Sequence, residues 1–125
     1  MVINMDCIFC KIINGDIPSY TIYENEYVKC FLDVNPNSNG HTLIVPKKHF
    51  KDIFDINENY LFEINKASKI VVEILNKKLN PQGFRFIQNN GNLQEVKHYH
   101  LHIIPNYINE KTEKVDTIYN KIIVK

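Results

Sequence analysis

Apolar positions along the chain fall into short runs with either helical or alternating spacing. Ile8, Phe9 and Ile12 predict a short helix over residues 7–14. Gly15 suits the position just past its end, and Pro18 forbids continuation. Residues 20–24 and 27–32 read as strands joined by a tight hairpin at Asn25-Glu26. Residues 33–40 form a loop of turn-forming residues, and residues 41–46 predict a third strand stopped by Pro46. A long amphipathic helix is predicted over residues 58–79, where Tyr60, Ile64, Ala67, Val71, Ile74 and Leu75 follow a 3.6-residue period behind an Asn57 N-cap. Residues 83–88 predict a fourth strand, with Phe84 and Phe86 on one face and Arg85 and Ile87 on the other. Residues 99–104 predict a fifth strand, ending at Pro105. The tail, residues 107–125, holds one apolar cluster (Ile118, Tyr119, Ile122, Ile123 and Val124) able to pack. This order implies α+β architecture: an antiparallel sheet with one long and one short helix, in a single domain over residues 1–125 whose core spans about residues 6–106.

The 125 residues suffice for a hydrophobic core without disulfides, and 44% hydrophobic with 23% charged residues excludes a disordered chain. The net charge of +1 gives no electrostatic case for a nucleic-acid or membrane partner. No apolar run could span a bilayer, and the N-terminus lacks the apolar stretch of a secretory leader. Three cysteines cannot form a paired framework, so the expectation is a reduced, cytoplasmic protein in which Cys7 and Cys10 act locally.

The histidines change the picture. His98, His100 and His102 alternate with Tyr99, Leu101 and Ile103. On a strand all three imidazoles share one face, recurring every ~6.6–6.8 Å, over an apolar counterface. That spread is too wide for all three to hold one ion. Imidazole can be a nucleophile, proton donor or metal ligand near pH 7.

The run His98-Tyr99-His100-Leu101-His102-Ile103-Ile104 resembles the signature of the histidine triad superfamily of nucleotide hydrolases and transferases. Supporting segments lie in order at residues 7–13, 17–18, 31–36, 40–49, 89–91 and 94–96. The resemblance implies the HIT-like fold, a five-stranded sheet extended across a homodimer. It also implies nucleotidyl transfer on a purine nucleotide through a covalent nucleotidyl-histidine. By that resemblance His100 is the nucleophile, with its other ring nitrogen held by a backbone carbonyl. His102 contacts the phosphate or leaving group, and His98 and His41 complete the histidine set. Asn89 and Gln94 donate to phosphate, beside His100 and His102. Asp33 and Val34 lie at the ribose, with Ile8, Phe9, Ile12, Ile17 and Leu43 as the slot for the base. Asp33 also reads as a turn-capping residue before Asn35-Pro36, and the apolar residues also read as plain core.

The implied reaction is hydrolysis of nucleoside 5′-phosphoramidates or related adenosine 5′-phosphate derivatives. A dinucleoside polyphosphate hydrolase and a nucleotide-binding module with little catalysis are the alternatives. The sequence departs from the common pattern in a shortened Gly91–Gln94 loop and in Glu95, where a serine donor is often found. Both put the leaving-group preference in question. Cys7-x-x-Cys10 has the spacing of half a zinc site. His49 and His98 resemble the remaining ligands of zinc-binding triad relatives, implying one structural Zn²⁺. The other reading is a pair of thiols without metal.

Overall fold

A computed structural model describes residues 6–125; the expectation about a secretory leader, read from residues 1–13, falls in part on residues 1–5, outside them. The elements run α1 (Ile8–Ile13), β1 (Thr21–Glu24), β2 (Val28–Leu32), β3 (Thr42–Pro46), α2 (Glu58–Leu79), β4 (Gly83–Gln88), a 3₁₀ turn (Gly91–Leu93), β5 (Leu101–Asn106) and α3 (Val115–Ile123). All strand pairings are antiparallel, in the order β1-β2-β3-β5-β4. The sheet and both expected helices are present, and the tail adds a third helix. Among the described residues no helix is long and apolar enough to cross a membrane.

Strand alternation sorts side chains between two cores. Val28, Cys30, Leu32, Ile44, Tyr99 and Ile103 pack on one face against Ile64, Ala67, Val71 and Leu75 of α2 and Ile118 and Ile122 of α3. The opposite face pairs Phe31, Leu43 and Val45 with Phe9, Cys10 and Ile12 of α1 and its N-cap Cys7. α2 starts as its sequence dictates, with Asn57 Oδ1 accepting from Tyr60 N at 2.9 Å. It ends at Asn80 in the left-handed region, just before Pro81. Of the tail's apolar cluster, Ile118 and Ile122 are buried while Ile123 and Val124 stay exposed.

One expectation is corrected. Only His102 lies on β5; His98 ends a bend and His100 sits just before the strand. The β3–β5 ladder stops at the Ile44–Leu101 pair. Pro46, near where the pairing would continue, has no N–H to give, and its carbonyl lies 2.9 Å from the His98 Nε2. Tyr99 N donates to Phe50 O at 2.7 Å instead of joining the ladder. The imidazoles still share a face, because Phe9 lies edge-on to both His98 and His100, and His100 to His102. At its other end β5 runs through Pro105 to Asn106. Pro105 pairs with Phe84 of β4 beyond the last β3 partner, Thr42, so its missing N–H breaks no inner ladder.

Candidate active site

A cleft of about 500 Å³ opens on the α1 face of the sheet, within the range of small-ligand sites. His41, His100 and His102 line it with Asn89, Asp33 and Val34. Ile8, Phe9, Ile12 and Leu43 form its apolar wall. The structure thus brings together most of the residues singled out from sequence. Ile17 instead packs against the α1-side core. Gln94 is buried, and its amide donates to Lys51 O at 2.7 Å; its Oε1 has no partner among the described residues. Asn89 therefore lines the cleft while the Gln94 amide does not. Phe31 and Ile87 also line it and were not anticipated, although strand alternation places both on this face.

Hydrogen bonds to the main chain fix the ring tautomers. His100 Nδ1 lies 2.7 Å from the His98 carbonyl, which can only accept, so Nδ1 carries the hydrogen and Nε2 the free electron pair. Asn37 N donates to His41 Nδ1 at 3.0 Å. The hydrogen of neutral His41 is therefore on Nε2, 2.9 Å from His102 Nδ1, which accepts it. That leaves His102 with a donating Nε2–H. The cleft thus offers a nucleophilic nitrogen and a hydrogen-bond donor on neighbouring rings, whose centres are 4.9 Å apart. Burial pushes His102 down to about 4, helped by His100 and His41 and opposed by Asp33. Burial lowers His41 and His100 as well, so these rings stay neutral at pH 7. Asn37 acts through its backbone N–H, and no side-chain signal in the sequence could have marked it.

The loop of residues 33–41 holds both Asp33 and His41. Asp33 N donates to His41 O at 2.9 Å, and Asp33 Oδ1 caps Asn35 N at 2.9 Å, so the turn-capping role is real. Oδ2 lies 3.7 Å from His41 Nε2. Gly40 adopts φ +89°, a left-handed conformation that favours glycine, and a Cβ there would also press on the tip of the Leu79 side chain, 2.6 Å away. Asn39 ties the loop to the tail. Its side chain donates to Lys111 O at 2.9 Å and accepts from Glu113 N at 2.8 Å, while its carbonyl accepts from Tyr107 Oη at 2.7 Å.

Beside this cleft, Cys7, Cys10, His49 and His98 point one donor atom each at a common centre, all within 4.8 Å of one another. Cys7 Sγ and His49 Nδ1 lie 3.3 and 3.1 Å from His98 Nδ1, and Cys10 Sγ lies 3.3 Å from His49 Nδ1. Because His98 Nε2–H is given to Pro46 O, its Nδ1 presents a free electron pair to the thiols. Burial lowers His98 to about 4, which keeps that pair free. His98 is wholly buried and contributes to this cluster, not to the cleft lining. Cys30 stands apart in the main core, where burial raises its thiol to about 12.

A sheet that presents clustered imidazoles to a cleft beside α1 defines the histidine triad class. The HIT domain matches residues 14–109, and the chain belongs to that family. It is 50% identical over 103 residues to an uncharacterized HIT-like protein of Methanocaldococcus jannaschii, covering 81% of this chain and 79% of the relative. It is 39% identical over 103 residues to an adenosine 5′-monophosphoramidase of Schizosaccharomyces pombe, covering 81% of this chain and 74% of that one. The crystal structure of a zinc-bound histidine triad family protein from Mycobacterium smegmatis superposes with a TM-score of 0.86 at 28% identity, covering 94% and 91% of the two chains.

Proposed function

We propose that the protein is a nucleotide hydrolase that cleaves nucleoside 5′-phosphoramidates through a covalent nucleotidyl-His100. The observation that carries this is the His100 Nδ1 bond to the His98 carbonyl, which aims a free Nε2 electron pair from a buried, neutral ring into the cleft. Likeness to a fungal adenosine 5′-monophosphoramidase supports the substrate class. Nε2 attacks the α-phosphorus while the P–N bond breaks, its electron pair passing to nitrogen. The amine leaves after taking a proton from water in the open cleft. His100 keeps its Nδ1 hydrogen and becomes a cationic leaving group, favoured by the nearby Asp33 and Glu95 carboxylates. Water then attacks phosphorus, the P–Nε2 pair returns to the ring, and the water's proton passes to solvent. Splitting one displacement into two is the gain of nucleophilic catalysis. His102 Nε2–H donates to a phosphoryl oxygen, Asn89 adds an amide donor, and Asp33 Oδ2 accepts from the ribose hydroxyls.

Cys7, Cys10, His49 and His98 would hold one Zn²⁺. Tetrahedral bonds of about 2.0–2.3 Å demand donor separations of roughly 3.3–3.8 Å, close to the 3.1–3.6 Å of four of the six donor pairs, all six lying within 4.8 Å. Four protein ligands leave no open position, so the metal's role is structural, pinning α1 to the segment that carries His100. Thiolate ligation at Cys7 and Cys10 suits a reducing, cytoplasmic setting. A homodimer is supported by the outer strand β4, where exposed Phe86 and Phe62 edge an apolar hollow with Leu61, Tyr99 and Leu101.

The test is His100→Ala. Turnover of an adenosine phosphoramidate should vanish while nucleoside monophosphate binding persists, and wild-type enzyme quenched mid-reaction should carry an acid-labile nucleotide on His100. Turnover within tenfold of wild type in the variant refutes the assignment.

A further inference from the structure

A cleft that processes nucleotides is expected to hold cations for their phosphates, and this one does not. The charged side chains lining it are Asp33 and Glu95; no lysine or arginine reaches it among the described residues. His41 and His102, buried and neutral at pH 7, add no positive charge. The nearest cation in sequence, Lys97, lies outside the lining and donates to Gly91 O at 2.6 Å. Asp33 is engaged by Asn35 N and faces His41. Glu95 is different. It is exposed, and no hydrogen bond or ion pair holds its carboxylate among the described residues. Yet it lines the same cleft as the His100 ring, so its field reaches that ring. The phosphorus that His100 attacks must sit against that ring, so the same field acts on whatever group leaves it.

Two leaving groups meet this field in opposite ways. The polyphosphate released from a dinucleoside polyphosphate carries several negative charges into a cleft with two carboxylates and no cation to receive them. An amine bearing a second, protonated nitrogen brings its positive charge to an unpartnered carboxylate. We propose that Glu95 is a specificity-determining residue that selects nucleoside 5′-phosphoramidates of cationic amines, such as diamines or basic side chains, and rejects polyphosphate leaving groups. The proposal rests on the phosphoramidase reading and names the substrate class within it. The P–N bond broken and the His100–P bond formed are those already described; Glu95 takes no proton and forms no bond.

The experiment compares two adenosine 5′-phosphoramidates of equal heavy-atom count, one of butylamine and one of 1,3-diaminopropane, with diadenosine tetraphosphate as third substrate. Wild-type enzyme should favour the diamine derivative in kcat/KM by roughly tenfold, about 1.4 kcal/mol, and cleave the tetraphosphate least. Glu95→Gln should bring the two amidates to within about twofold and raise the tetraphosphate relative to both. Raising the ionic strength from about 0.01 M to about 1 M shortens the screening length from roughly 30 to 3 Å. It should erase the wild-type preference in the same way, which a merely structural role for Glu95 would not produce. Turnover of both amidates without charge discrimination, or a preference unchanged in Glu95→Gln, overturns the proposal alone. Absence of turnover on either amidate overturns the phosphoramidase reading and the proposal with it.

Discussion

Asn39→Ala tests how far the tail supports the chemistry. The side chain is 3% exposed and makes two good hydrogen bonds, to Lys111 O at 2.9 Å and from Glu113 N at 2.8 Å. Each contributes about 0.5–1.5 kcal/mol net. Lys111 is exposed and Glu113 half-buried, so the orphaned backbone groups can turn to water and avoid the full desolvation penalty. The expected loss is therefore about 1–3 kcal/mol, a melting-point drop of roughly 4–12 °C for a chain of this size. Glu113, Val115 and Ile118 face Asp33, Gly40 and His41 across a narrow crevice, so a loosened tail also loosens the loop that orients His41 and through it His102. Urea denaturation with a steady-state assay on an adenosine phosphoramidate reads both effects. Stability should fall by the stated amount, and kcat/KM should drop more than thermal unfolding at the assay temperature explains. A stability change under about 0.5 kcal/mol would show that the tail is held elsewhere and that Asn39 does not brace the site.

Asp33→Ala should raise KM more than it lowers kcat, if the ribose contact is equal in ground and transition states; an unchanged KM would leave Asp33 only its cap on Asn35 N. Protein purified without a histidine tag should contain about one zinc per chain, and chelation or Cys7→Ser should lower the melting temperature more than it slows turnover; less than about 0.2 zinc per chain with reactive Cys7 and Cys10 thiols would rule the site out. Stability should also depend on pH through His102, which folding holds at about 4, below its ordinary value of 6.5. Because the unfolded chain takes up the proton first, that contribution is complete above pH 6.5 and is lost as pH falls towards 4. His102→Gln should flatten this part of the pH–stability curve, and an identical slope in the variant would contradict the lowered value.

Much of the fold was legible because its signals are local. The 3.6-residue apolar period and the Asn57 cap fix α2 to the residue, and alternation over residues 100–103 correctly separates Leu101 and Ile103 from His100 and His102. The start of β5 was not legible. It depends on Pro46 lacking an N–H and on Phe50 offering a carbonyl to Tyr99, partners about fifty residues away in the chain. Roles in the site came from resemblance, and their placement needed the structure. Asn89 and Gln94 are both amides, but Lys51 O claims the Gln94 side chain and leaves Asn89 to the cleft. Ile17 and Phe31 are both apolar, and only Phe31 reaches the cleft lining.

The main chain sets the tautomers of this site. The His98 carbonyl aims His100, the Pro46 carbonyl aims His98, and the Asn37 N–H sets His41 and through it His102. Side-chain replacement cannot remove these groups, so the chemistry is sensitive to backbone displacement more than to the identity of neighbouring residues. Two remote features control that displacement. The Cys7–Cys10–His49–His98 cluster holds the backbone at residue 98, whose carbonyl sets the His100 tautomer. The Asn39 clamp holds the loop at residue 37, whose N–H sets His41 and through it His102. Disturbing the first should impair His100 while leaving the His41–His102 pair intact, and disturbing the second should do the reverse. The two rings touch edge to edge, so losing both anchors should cost more in kcat/KM than the sum of the single losses, a coupling a double-mutant cycle of Cys7→Ser and Asn39→Ala would measure.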